Sequence, residues 1–243
     1  MRKLKGQKGL SLVEVTIMLL VLMLLTSVLA PSIYDFVIDA QWVKVKEDCE
    51  AIGISVARLT RDVGPCLKSN GTLGCTEENR VDILYSDGNA NPPVSNGGQF
   101  INNNINAGGI NWDSYLVDSD TMLDQFVTNG PLYQTPAQKY PVFFPVGPLF
   151  GLGWRGGYLA PPIGPDPWGG MYMVNSVFLA TASNSPDAGE GQTGRWWERD
   201  VFCISPGPDG IYQTPFEGTK AAFQFGTDRA ADDWVYIIQG SGR

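Results

Sequence analysis

Histidine is absent from all 243 residues. That removes Ser-His-Asp and Cys-His catalysis, and with them the imidazole ligands of most zinc sites. The four cysteines do not restore a zinc site, because no two are spaced C-x-x-C. There is no G-x-S-x-G and no phosphate-binding P-loop, and no G-x-G-x-x-G opens a helix. Acid pairs such as Asp118 and Asp120 lie in polar loop sequence, and nothing points to a glycosidase arrangement. No enzymatic activity is expected. Charge is also sparse, at 17% of residues, and the net value of −8 makes the chain a poor candidate for nucleic-acid binding, which needs a basic face. After residue 31 no long apolar run recurs.

What is present is arranged unevenly. The first nine residues carry Arg2, Lys3, Lys5 and Lys8. Leu10 to Ala30 then forms a run of 21 residues with a single charge, Glu14. At about 1.5 Å per residue such a helix spans a hydrocarbon core of ~30 Å. The preceding basic residues predict a cytoplasmic N-terminus. The run is longer than the h-region of a cleaved signal peptide, and too uniformly apolar for the helix of a soluble domain. Glu14 distinguishes it from a plain anchor. A carboxylate inside a membrane span costs about 2.5–3.5 kcal/mol on insertion scales, so it calls for a partner. The free α-amine created by cutting just before Leu10, on a neighbouring copy, would supply one.

These residues carry a resemblance. Lys8-Gly9-Leu10-Ser11-Leu12-Val13-Glu14-Val15 resembles the prepilin cleavage motif of type IV pilins and type II secretion pseudopilins. Glu14 is the fifth residue counted from Leu10, and Pro31 is the twenty-second, where the family places its helix-kinking proline. Proline removes one helical hydrogen bond and crowds the preceding turn, so it would let the helix bend or melt locally on leaving the bilayer. The resemblance implies cleavage after Gly9 by a prepilin peptidase and methylation of Leu10. Glu14 and Pro31 would then serve assembly. Partners would be copies of the same chain or other pilins in a helical filament, together with an inner-membrane assembly platform. The implied location is the bacterial inner membrane, single-pass, with the head in the periplasm, and then a periplasmic or extracellular filament. Loss of the four basic leader residues would move the net charge from −8 to −12.

From Ser32 to about Asp62 the pattern turns amphipathic. Ile33, Phe36, Val37, Val43, Val45, Ile52, Val56 and Leu59 fall near helical spacing, with charges on the other face. Gly64-Pro65 predicts the stop. The expected organisation is a leader over 1–9, a transmembrane helix over 10–30, an amphipathic stem over 31–65 and a globular head over 66–243. In the head, strands are expected at Arg80–Tyr85, Met171–Ala180, Val201–Ser205 and Trp234–Ile238, with a short helix within Leu116–Val127 and a long Asn/Gly-rich loop over 86–112. Tyr140–Phe150 reads as apolar but proline-broken. The fold class is therefore α+β and pilin-like: a long N-terminal helix packed on a small antiparallel sheet with a loop-rich head. The 29 glycines and 17 prolines agree with many loops without reaching a low-complexity composition.

Two head segments extend the resemblance. Asp166-Pro167-Trp168-Gly169-Gly170 is similar to the D-P-W-G segment of major pseudopilins and reads as a turn with a packed tryptophan. Ser205-Pro206-Gly207-Pro208-Asp209-Gly210 is similar to the start of their calcium loop, and Asp232-Asp233-Trp234 to its end. Calcium takes six to eight hard oxygens in a flexible loop. The implied ligands are the carboxylates of Asp209, Asp232 and Asp233 with a backbone carbonyl from Ser205 or Pro208. Glu217 and Asp228 are substitutes, because the loop between Asp209 and Asp232 is longer than the family's. An even cysteine count in an exported domain favours disulfides. Cys66 and Cys75 flank a turn-like Ser69-Asn70-Gly71, which favours Cys66–Cys75 with Cys49–Cys203 as the second bridge. Free thiols or another pairing are the alternatives. Function thus reads as a structural filament subunit. The competing reading is a membrane-tethered minor tip subunit or adhesin that binds a ligand through its large loops.

Overall fold

The structure is a computed structural model. It describes residues 11–64, 67, 80–86, 112, 119–130, 139–142, 153–160, 163–179, 199–210, 212, 214, 216 and 233–239. The chain divides into two compact units, Met1–Val43 and Lys44–Arg243.

Helix α1 runs from Leu12 to Val63, 52 residues without interruption. Its start has a local cause. Ser11 stands at the cap position, and the Ser11 backbone N–H donates to Glu14 Oε2 at 3.3 Å, the return half of a capping box. Polar residues in the apolar stretch satisfy themselves within the helix, as Thr16 Oγ1 donates to the Val13 carbonyl at 2.8 Å and Thr26 Oγ1 to that of Leu22 at 2.6 Å. Pro31 lies inside the helix, which continues through it rather than melting there. The end comes at Gly64, whose φ of +107° is a left-handed conformation that glycine adopts without penalty.

In the first unit, the described side chains from Leu12 through Val37 are exposed. This part of α1 is long and apolar enough to cross a membrane.

The second unit is built on the rest of α1 and a five-stranded sheet. The strands are β1 (Ile83–Tyr85), β2 (Ser119–Thr121), β3 (Met173–Val174), β4 (Val201–Ser205) and β5 (Trp234–Gln239). They lie in the order β2-β1-β3-β4-β5. β1 and β2 pair in parallel, and the other three pairings are antiparallel. The layout is α+β, but the sheet is mixed where a wholly antiparallel one was expected. Val45, Cys49, Ile52, Val56, Leu59 and Val63 recur every three or four residues on α1 and join the strands in one buried core. Register aligns Leu84, Val174, Cys203 and Tyr236 across β1, β3, β4 and β5, so one row of side chains shares a sheet face. Where that row meets α1 the approach is close: a Cβ added at Gly53 would stand 2.6 Å from Tyr236 Cε1.

Several expected elements differ. β1 is shorter than Arg80–Tyr85, and Arg80 instead forms a buried ion pair with Asp82. The expected helix within Leu116–Val127 begins as β2 and continues into a π-helical turn at Asp124–Thr128. The strand expected over Met171–Ala180 stops after Val174, and a 3₁₀ turn occupies Ser176–Leu179. Asn175 explains that stop. Its amide donates to the carbonyls of Asp200 and Phe216, both at 3.0 Å, while its Oδ1 accepts from Phe202 N–H at 2.8 Å, so it spends its hydrogen bonds turning the chain. Within Tyr140–Phe150, Val142 forms an isolated parallel bridge with Trp154. Ser86 and Trp112 alone of the expected loop over 86–112 are described, and Trp112 is buried against Phe202 and Phe216.

Candidate functional site

Gly9 and Leu10, the expected cleavage and methylation site, lie outside the described residues. Glu14 lies in the first turn of α1, and its carboxylate reaches back to the N–H of the cap residue Ser11. This capping role was available in the sequence as Ser11-x-x-Glu14, a pattern that fixes where a helix begins. It does not displace an intermolecular role, because a carboxylate has acceptor sites for more than one donor.

Among the described residues, a dense polar site forms in the head where the two loop motifs meet. Asp166 is buried, and its Oδ1 accepts from the N–H groups of Trp168 at 3.0 Å and Gly170 at 2.7 Å. Its Oδ2 accepts from Ser205 Oγ at 2.7 Å. Ser205 Oγ accepts in turn from Gly207 N–H at 3.3 Å. One carboxylate thus organises the Asp166–Gly170 turn and ties it to the loop leaving β4. Gly170 is required by that closeness: a Cβ there would stand 2.5 Å from Pro206 Cγ and 2.9 Å from Asp166 Oδ2. The turn was expected, but the Asp166–Ser205 bond joining two segments 39 positions apart was not. Only the tertiary fold brings them together.

The expected calcium ligands fall in different situations. The hydroxyl of Ser205 is committed to Asp166, which leaves the carbonyl expected of this residue as its remaining donor. Asp209 is exposed on the turn 207–210, whose glycines Gly207 and Gly210 both have positive φ. Asp233 Oδ2 accepts from Thr214 N–H at 2.6 Å, which fixes the strand-entering end of the loop. Asp232, Glu217 and Asp228 lie outside the described residues. Among the described residues, no three acidic, cysteine or histidine side chains converge as a metal-holding group.

Cys66 and Cys75 also lie outside the described residues. Cys49 on α1 and Cys203 on β4 are brought together: both are fully buried, and their sulfurs are 3.4 Å apart as unbonded thiols. Burial, followed by the hydrogen bond to Cys49, pushes the Cys203 thiol well above its ordinary value.

Two further carboxylates fasten α1 within the head. Asp48 accepts from Tyr172 OH at 2.9 Å and pairs with Lys44 at 3.0 Å. Buried Asp62 accepts from Tyr158 OH at 3.1 Å and lies 3.3 Å from Arg61 Nε and 3.6 Å from Arg155 Nε. Asp120, expected in polar loop sequence, lies instead in β2, where it is buried and accepts from Gln125 Nε2 at 2.6 Å and Thr121 N–H at 2.7 Å. Gln125 Oε1 accepts from Tyr140 OH at 2.6 Å, so Asp120 anchors a packed network. Asp118 lies outside the described residues. The sequence marked none of these as anchors, since an isolated Asp looks the same on a surface and in a network.

No protein-family model matches the sequence, and no curated protein or solved structure matches it either.

Proposed function

We propose that this chain is a structural subunit of a type II secretion pseudopilus or type IV pilus, assembled from the inner membrane after a prepilin peptidase cuts between Gly9 and Leu10. One observation carries the reading: the apolar part of α1, from Leu12 to Ala30, is exposed and holds a single carboxylate, Glu14, at the fifth position counted from Leu10. Such a surface needs a bilayer before assembly and other apolar helices after it. Pro31, at the twenty-second position, supports the same reading. The function is assembly. Glu14 neutralises the α-amine of Leu10 on a neighbouring subunit and so sets the axial register of a filament core. The head sits in the periplasm. Asp209, Asp232 and Asp233, with Ser205, hold calcium and brace the C-terminal loop; this part rests on the order of residues in the sequence and on oxygen donors suited to a hard cation.

The test is mass spectrometry of the mature N-terminus together with Glu14→Ala. A methylated Leu10 is expected in the wild type. The variant should insert and be cut normally, yet enter filaments at a small fraction of the wild-type level. Normal filaments from Glu14→Ala, or a mature chain still carrying Gly9, would refute the mechanism. A protein confined to filament ends would instead identify the tip-subunit alternative.

A further inference from the structure

We infer that Cys49 and Cys203 close into a disulfide that fastens α1 to β4. The geometry leads to this pair. Cys49 occupies the α1 face that also buries Val45, Ile52 and Val56, and Cys203 is the central residue of β4, in register with Val174 on one side and Tyr236 on the other. Each sulfur therefore lies at the helix–sheet contact, and neither has any solvent exposure. At 3.4 Å they touch as thiols, and a bond of about 2.05 Å requires them to approach by little more than an ångström. Modest side-chain rotation covers that distance. A metal site is a poor alternative use of the pair, because no histidine exists in the chain and no third ligating group converges among the described residues.

Closure requires an oxidant, and an oxidised dithiol protein of the exported compartment supplies it. The thiolate of one cysteine attacks a sulfur of the carrier's disulfide, giving a mixed disulfide. The thiolate of the second cysteine then displaces the carrier. Two protons leave the pair, its two electrons pass to the carrier, and the carrier departs as a dithiol. The packed head opposes this exchange. Burial raises the Cys203 thiol and so suppresses the thiolate that must attack, and neither sulfur is reachable from outside. The exchange therefore precedes the docking of β4 on α1. Once formed, the bond is shielded from reductants by the same packing. It closes a loop between positions 154 apart, which contains β1, β2 and β3. A loop of that length strongly restricts the unfolded chain, so reduction should lower the melting temperature on the order of 10 °C.

The inference rests on the proposed function only for its oxidising compartment, and the test separates the two. The full-length chain carrying Cys66→Ser and Cys75→Ser is expressed in a bacterial host. Cells are quenched in acid, and the denatured protein is treated with a maleimide-linked polyethylene glycol. No adduct is expected before reduction and two after it, with a Cys49–Cys203 linked peptide on digestion. Two adducts without reduction, on a chain whose head is digested by protease added outside the inner membrane, would overturn the disulfide. A head shielded from that protease would refute the export reading instead. The pair is then decided by refolding the detergent-solubilised chain with oxidised glutathione: an intramolecular Cys49–Cys203 bond upholds the inference, and free thiols or a cross-linked dimer overturn it.

Discussion

Replacing Asp166 tests whether the meeting of the two head loops is a structural anchor. The carboxylate accepts three hydrogen bonds, at 3.0 Å from Trp168 N–H, 2.7 Å from Gly170 N–H and 2.7 Å from Ser205 Oγ. Asp166→Ala removes every acceptor at once. Trp168 is half-buried and its N–H can turn to water, but Gly170 and Ser205 are buried, and each stranded donor costs about 1–3 kcal/mol. Relief of the desolvated carboxylate offsets part of this, leaving a net loss of about 3 kcal/mol. Asp166→Asn keeps a carbonyl oxygen for the two backbone donors and turns an amide toward Ser205 Oγ. That oxygen can accept, so only the serine proton loses its partner, at about 1 kcal/mol. For a head of this size each kcal/mol shifts the melting temperature by roughly 2–4 °C. Circular dichroism of the detergent-solubilised chain should therefore place Asp166→Ala roughly 6–12 °C below wild type and Asp166→Asn within about 4 °C of it. Ser205→Ala combined with Asp166→Ala should lose less than the sum of the two singles, since they share one bond. An unshifted Asp166→Ala, equal losses for the alanine and asparagine variants, or strict additivity would refute the anchor.

Two other consequences are measurable. Tyr158, Tyr172 and Tyr212 are all held above the ordinary phenol value, first by burial, with Asp48 adding to the effect at Tyr172 and Asp166 and Asp233 at Tyr212. A folded-state value raised above the unfolded one contributes stability that is complete below pH ~10 and is lost as pH rises through and beyond it. Tyrosinate absorbance near 295 nm should thus appear for Tyr172 and Tyr212 only together with loss of circular dichroism; free titration of both near pH ~10 with the fold intact would contradict the packing. Calcium at a hundredfold excess over its dissociation constant should raise the melting temperature by roughly 5–10 °C, reversibly with chelator, and Asp209→Asn or Asp233→Asn should abolish the rise. No shift in the wild-type chain sinks the calcium proposal.

Much of the helix was legible, because an unbroken apolar run followed by three-and-four spacing admits few other solutions, and Gly64 supplies the stop. β4 and β5 were legible for a related reason, their runs being apolar enough to sit in or against a core. β2 was not. Its sequence is Ser-Asp-Thr, and it joins the sheet because Gln125 and Thr121 satisfy the Asp120 carboxylate inside the fold. β3 was overextended because hydrophobicity continues past Val174, whereas Asn175 and Ser176 in the middle of that run bind the backbone of other segments. The thiol pair was named from the cysteine count, and its contact depends on a helix-to-strand crossing that spacing does not encode. Asp166 was seen as part of a turn, but its bond to Ser205 lies in the third dimension.

The closeness of α1 to the last strand has a consequence in time. The partners of its buried stripe are encoded far downstream: Cys49 meets Cys203, and Gly53 faces Tyr236. At ordinary synthesis rates roughly 10–40 s pass between the ribosome's making Gly53 and its making β5. During that interval the stripe lacks the part of its cover that β5 supplies. The head cannot complete itself as it emerges, and must be kept from wrong partners until its final residues arrive.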